Sequence, residues 1–118
     1  MQFDHDKLDV YAAALEFLAL ANTIVEDLPR GRSYLADQLQ RAATSITLNI
    51  AEGAGEFSPK DKSRFYRMAR RSGTECAAVL DVCRRLKLAD DKVLASGREL
   101  LIRVVSMLTK MARKLSDS

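Results

Sequence analysis

Tryptophan is absent from this 118-residue chain, histidine occurs once, and proline and glycine together number only seven. So few turn-forming residues exclude a collagen-like, low-complexity or turn-rich β protein. The lone His5 and the two cysteines make no zinc-ligand spacing, and no Glu-x-x-His pair of a di-metal bundle occurs. No metal, cofactor or catalytic residue is therefore expected. Gly53-Ala54-Gly55 lacks the preceding strand and the following Lys-Ser/Thr of a phosphate-binding loop. No apolar run approaches the ~18–20 residues that span a bilayer, and the start, Met1-Gln2-Phe3-Asp4-His5-Asp6, is acidic where a signal peptide is basic. A cytoplasmic location without a membrane partner is the expectation. Cys76 and Cys83 lie seven residues apart on one expected helix. At 1.5 Å rise per residue their Cα atoms would be about 10 Å apart, too far for a disulfide. Two buried, reduced thiols are expected.

Aliphatic residues and alanine make up most of the 47% hydrophobic content, in apolar positions that recur with helical spacing. The length suits one domain, residues 1–118. The periodicity places helices at about 6–28, 33–54, 58–87 and 91–115. The first has a stripe of Leu8, Ala12, Leu15, Leu18, Ala19, Asn22 and Val25, and stops at Pro29 and Gly31. The second starts with Ser33 as N-cap, carries Leu35, Leu39, Ala42, Ile46 and Ile50, and ends at Gly53-Ala54-Gly55, where glycine can take a left-handed cap. The third opens on Ser58, Pro59 and Asp61, close to a capping box, with a core stripe of Phe65, Ala69, Ser72, Cys76, Val79, Leu80, Cys83 and Leu86. The fourth keeps Leu94, Leu101, Val104, Leu108, Met111 and Leu115 in 4–3 spacing. Connections of roughly two to five residues make neighbours antiparallel, so the expected fold is all-α, an up-down-up-down four-helix bundle.

Charge is distributed unevenly. Residues 1–29 carry six acids and one base, and residues 30–57 balance. Residues 58–89 carry nine bases and three acids, and residues 90–118 six bases and four acids. Within the third helix Lys60, Arg64, Arg67 and Arg71 share one face, and Arg85 returns to it further along. Such a row can follow a phosphate backbone, or it can be a solvated face, or pair with the acidic first helix. Phe57 and Tyr66 are too few for a single-strand stacking platform.

A second polar stripe is less easily explained. Gln38, Arg41, Ser45, Asn49 and Glu52 fall in one row beside the apolar stripe of the second helix. Unpaired buried polar groups cost roughly 1–3 kcal/mol each, so this row needs partners. Antiparallel packing brings its Arg41 end toward Ser72 and Glu75 of the third helix. An internal network that fixes helix register is expected, with an Arg41–Glu75 pair as a geometrically reasonable member. A ligand or partner site is the alternative.

Leu28-Pro29, Leu35-x-x-Gln38-Leu39-x-Arg41-Ala42 and Ser45-Ile46-x-x-Asn49-Ile50-Ala51-Glu52-Gly53, continued by Ser58, Phe65, Ala69-Arg70, Ser72 and Glu75, resemble the four-helix bundle proteins of the 23S rRNA intervening-sequence family. The resemblance spans nearly the whole chain. It implies a left-handed bundle in a small bacterial protein, with no established enzyme activity. A related bundle is the accessory variability protein of diversity-generating retroelements, a basic pentamer that engages a reverse transcriptase and nucleic acid. A homopentamer, RNA or DNA, and a reverse transcriptase are thus the implied partners. The chain departs from the family pattern at Arg71, Gly73 and Glu56. Arg71 extends the basic row, Gly73 weakens the helix by roughly 1 kcal/mol against alanine, and Glu56 opposes phosphate binding by its loop.

Two readings follow. In the leading one, a non-catalytic oligomeric scaffold binds nucleic acid or a nucleic-acid enzyme through Lys60, Arg64, Arg67, Arg71 and Arg85. In the other, the charged faces only build the homo-oligomer. An enzyme or small-ligand site at Arg41, Asn49, Glu52 and Glu75 ranks third.

Overall fold

Helices fill the chain almost end to end in the computed structural model, which describes residues 1–117. A 3-10 turn, Asp4–Lys7, precedes α1 (Asp9–Asp27), α2 (Ser33–Gly55), α3 (Pro59–Arg85) and α4 (Asp91–Ser116). The helix starts follow their local chemistry. Ser58 Oγ accepts the Asp61 amide at 3.0 Å with Pro59 at the first helical position, and Asp90 Oδ1 accepts the amides of Lys92 and Val93. Each such cap stabilises its helix by about 1 kcal/mol.

Antiparallel order can be read from cross-helix partners. Ser45 meets Ser72, and Gly53 meets Tyr66, so α2 and α3 run in opposite senses. Ser63 meets Ala112, Arg70 meets Thr109, and Asp81 meets Arg98, so α3 and α4 also oppose. Phe17 and Leu20 lie at Gly97, while Asp9 to Glu16 flank Ile102 to Met107, which makes α1 antiparallel to α4. The bundle is up-down-up-down. Each helix packs on two neighbours in cyclic order, and the diagonal pairs α1–α3 and α2–α4 stay apart.

The core runs the length of the bundle. Phe17, Ile24, Leu39, Ile46, Ile50, Leu80, Leu101 and Leu108 are fully buried at its centre. The stripes expected on α2 and α4 face inward. That of α1 does so only in part, through half-buried Leu8, Leu18 and Val25. Val10, Ala13, Ala14, Phe17, Ala21 and Ile24 are buried, whereas Ala12, Leu15, Ala19 and Asn22 face solvent. On α3, Tyr66 and Gly73 are buried in place of their neighbours Phe65 and Ser72, which are half-buried, and Leu86 is exposed.

Two glycines owe their place to close packing. A Cβ at Gly53 would lie 2.7 Å from the Tyr66 ring, so the missing side chain makes room for that aromatic. A Cβ at Gly73 would lie 2.9 Å from Val105 Cγ2. The helix-propensity cost of Gly73 is therefore tied to the tight α3–α4 approach.

Helix ends differ from expectation in three places. The first helix is interrupted at Leu8, where the 3-10 turn gives way to α1. Ser33 is the first residue of α2 rather than its cap; Arg32 holds the cap position, and its side chain makes no capping bond. Gly53 and Gly55 stay helical, and α2 leaves through extended Glu56. The Lys62 ammonium closes that end instead, donating to the carbonyls of Gly53 and Ala54 at 3.3 and 2.8 Å. The left-handed cap occurs on α3, at Lys87 with φ 56°. Lys87 N donates to Arg84 O and Leu88 N to Cys83 O, the double bond of a Schellman motif.

Candidate nucleic-acid interface

Lys60, Arg64, Arg67, Arg71 and Arg85 are all exposed on α3. None of them forms an ion pair with a described residue. Pairing with the acidic α1 inside one chain is excluded by topology, because α1 lies across the diagonal from α3. The Arg64 guanidinium lies 4.5 Å from the Phe65 ring centroid, a cation–π contact that leaves its charge in place.

The positive surface continues onto α4. Antiparallel packing sets the start of α3 beside the end of α4, and residues 103–114 carry four bases and no acid. Arg67, Arg70 and Arg113 line an open groove of about 330 Å³ with Thr109, Ser116 and Asp117. Arg70 Nε donates to Thr109 Oγ1 at 2.9 Å, which fixes that guanidinium across the seam. Arg70 and Arg113 lie outside the basic row read from the sequence. Their signal was the complementary run of bases at the end of α4, which matters only once the two helices are known to be antiparallel. Arg85 belongs to a different surface, an open depression with Asp81, Arg84 and Lys87 at the far end of α3.

The polar row of α2 divides into two parts. Asn49 Nδ2 donates to Ser45 O and Ser45 Oγ, both at 2.9 Å, and Ser72 Oγ donates to Ser45 Oγ at 3.0 Å. These three half-buried residues form a neutral latch between α2 and α3. Gln38, Arg41, Glu52 and Glu75 remain exposed and outside it. The Arg41–Glu75 pair does not form; among the described residues neither side chain has an ionic partner. Both are far enough into water to stay hydrated, where a salt bridge contributes about 0–1 kcal/mol and so does not draw two long side chains together. They instead face a shared open groove of about 430 Å³ with Tyr34, Gln38, Ala42, Ser45 and Ser72. Tyr34 is held by Arg32, whose Nη1 donates to its hydroxyl at 2.9 Å.

The reactive side chains elsewhere are quiet. Cys76 and Cys83 are free and buried. Burial, and then the charge of Glu75, push the Cys76 thiol up to about 12, and burial also raises Cys83, so neither offers a thiolate at neutral pH. Tyr66 is raised by burial and by Asp4. His5 stacks on Phe3 and tilts against Tyr11, with Nε2 3.6 Å from Asp6. No group of three metal-ligating side chains occurs among the described residues, and no helix among them is long and apolar enough to cross a membrane.

The chain belongs to the 23S rRNA-intervening sequence protein family, whose model matches residues 6–110. Its fold is similar to the crystal structure of a protein of unknown function from the S23 ribosomal protein family of Bacteroides thetaiotaomicron, with a TM-score of 0.81 at 20% identity over 87% of this chain and 97% of that one. None of the curated proteins matches the chain. At that identity the structural likeness speaks for the bundle alone.

Proposed function

We propose that the protein is a non-catalytic scaffold that binds structured nucleic acid through the basic face of α3 and the adjoining end of α4. One observation carries this reading. Lys60, Arg64, Arg67 and Arg71 form an exposed row without an ionic partner among the described residues, and the acidic α1 of the same chain lies across the bundle. Residues 60 to 71 cover about 17 Å at 1.5 Å per residue, room for several consecutive phosphates. Arg67, Arg70 and Arg113 widen the row into a cationic groove.

Fluorescence anisotropy with a labelled RNA hairpin and a DNA duplex tests it. Binding at low salt is expected, with loss of at least about 100-fold on Lys60/Arg64/Arg67/Arg71→Glu, since each phosphate contact adds to the affinity. No binding at low salt, or binding that survives the four changes, contradicts the reading.

A second reading has its own observation. The outward side of α1 is weakly polar, with Ala12, Leu15 and Ala19 exposed between Asp9, Glu16 and Glu26. An acidic, partly apolar helix of one copy would complement the basic α3 of another, and repeated head-to-tail contacts of this kind close into rings. In this reading the charged faces only build a homo-oligomer, such as the pentamer that the family resemblance implies, and have no nucleic-acid role. Light scattering on the same variant separates the two readings. A ring that falls to monomers assigns the basic row to assembly. A ring that persists without nucleic-acid binding assigns it to the ligand.

A further inference from the structure

The groove on the α2–α3 seam holds a set of side chains that neither the latch nor the basic row uses. Arg41 projects from α2 and Glu75 from α3 into one open space of about 430 Å³, unpaired with each other. Glu75 is also unpaired with Arg71, one turn earlier on α3. Tyr34 stands at the same groove, 55% exposed, its hydroxyl held by Arg32. Gln38 lies between Tyr34 and Arg41 along the helix, and the Ser45–Ser72 hydrogen bond closes the groove at its other end.

We propose that this groove takes one unpaired guanine of a single strand whose backbone lies on the basic face; the inference rests on the nucleic-acid reading above. The chemistry of the walls selects the base. A carboxylate accepts best from two neighbouring N–H groups, and among the four bases only guanine presents such a pair, at N1 and N2. A guanidinium donates best to two neighbouring acceptors, and guanine offers O6 and N7. Cytosine offers a guanidinium its O2 and N3 but a carboxylate only N4, and adenine meets each wall only in part. Guanine satisfies Glu75 and Arg41 together, by different edges. The exposed Tyr34 ring supplies a stacking surface of the kind on which splayed bases rest.

The groove also lies where a strand would need it. Arg71 is the last member of the basic row and sits one helical turn from Glu75. A phosphate held at Arg71 would leave its base beside the groove. Because Arg41 and Glu75 are not bonded to each other, a base entering between them displaces water and no intramolecular bond.

Anisotropy with labelled heptauridylates that carry a single central G, A, C or inosine tests the proposal. The G-containing strand is expected to bind about tenfold more tightly than the A or C strand, the lower part of the range for a bidentate contact because the groove is open. Inosine lacks the 2-amino group and should fall between them. Glu75→Gln and Arg41→Gln should each reduce the preference to about twofold or less while the affinity for plain heptauridylate stays within about twofold. Both residues are exposed, and far-ultraviolet circular dichroism of the variants checks that the bundle persists. The same guanine preference on the corresponding deoxy strands supports the pocket. Equal binding of the G, A and C strands overturns it and leaves the basic-face reading intact, as does a preference that survives Glu75→Gln. Failure of every strand to bind at low salt overturns the pocket, while the hairpin and duplex measurement above decides the basic-face reading separately.

Discussion

Helices α1 and α3 occupy opposite corners of the same bundle, run in the same sense, and carry opposite charge. The first 29 residues are net acidic and residues 58–89 strongly basic, and the diagonal keeps the two helices apart. Each also buries one face and shows the other to water. Their outward faces differ in kind: α1 shows small and apolar residues between scattered acids, α3 a row of bases from Lys60 to Arg71. The difference bears on function, because α1 and α3, at opposite corners of a square bundle, form no direct ion pairs with each other among the described residues. Neutralisation of either face falls to solvent ions, or to a partner of the kind proposed above.

The largest expected effect tests which face of α1 is inside. Phe17 is fully buried, whereas Leu15 is 42% exposed. Phe17→Ala should destabilise the bundle by about 3–5 kcal/mol in denaturant unfolding, and Leu15→Ala by no more than about 0.5 kcal/mol. Comparable losses would restore the stripe read from periodicity.

That stripe shows where the sequence stopped being informative. The face of α2 could be read because polar Gln38, Arg41, Ser45 and Glu52 flank one apolar row, and α4 likewise keeps bases opposite its leucines. In α1, apolar residues occur nearly all round, so Leu8-Ala12-Leu15-Ala19 and Val10-Ala14-Phe17-Ala21-Ile24 both satisfy a helical period. Only packing against α2 and α4 chooses between them. The neighbouring aromatics Phe65 and Tyr66 posed the same problem, resolved by the space that Gly53 leaves for the Tyr66 ring. The basic row and the polar row were both visible as spacings. Their division into a neutral latch, a cationic groove and an unpaired Arg41/Glu75 groove depends on cross-helix register, which a single sequence does not display.

On α3 a pH dependence is expected from the buried side. Cys76 is held neutral up to about pH 12, against an ordinary value of 9.0. Its folded pKa is raised, so the unfolded chain ionises first. Stability is full below pH 9 and is lost progressively as pH climbs from 9 toward 12. Thermal unfolding at pH 8 and pH 10.5 should show a smaller drop in Cys76→Ala than in the unaltered chain. An equal drop in both would remove Cys76 as the cause.

The smallest effect concerns the exit from α3. Lys87 holds a left-handed conformation that a side chain disfavours. Lys87→Gly should stabilise the bundle by about 1 kcal/mol, read from the urea midpoint, with α1 as an unaffected reference in hydrogen exchange. No gain would mean that the Schellman bonds at Arg84 and Cys83 are not what sets the helix end.

The salt dependence of RNA binding tests the central proposal most directly. With Lys60, Arg64, Arg67 and Arg71 on phosphates, the logarithm of affinity should fall against the logarithm of salt with a slope of at least about −3, approaching zero in the Lys60/Arg64/Arg67/Arg71→Glu variant. Neutralising Asp9, Glu16 and Glu26 on α1 should leave the slope within about one unit of the original. A slope that is flat in the unaltered protein, or that responds to α1 as strongly as to α3, contradicts the assignment of the basic helix as the nucleic-acid face.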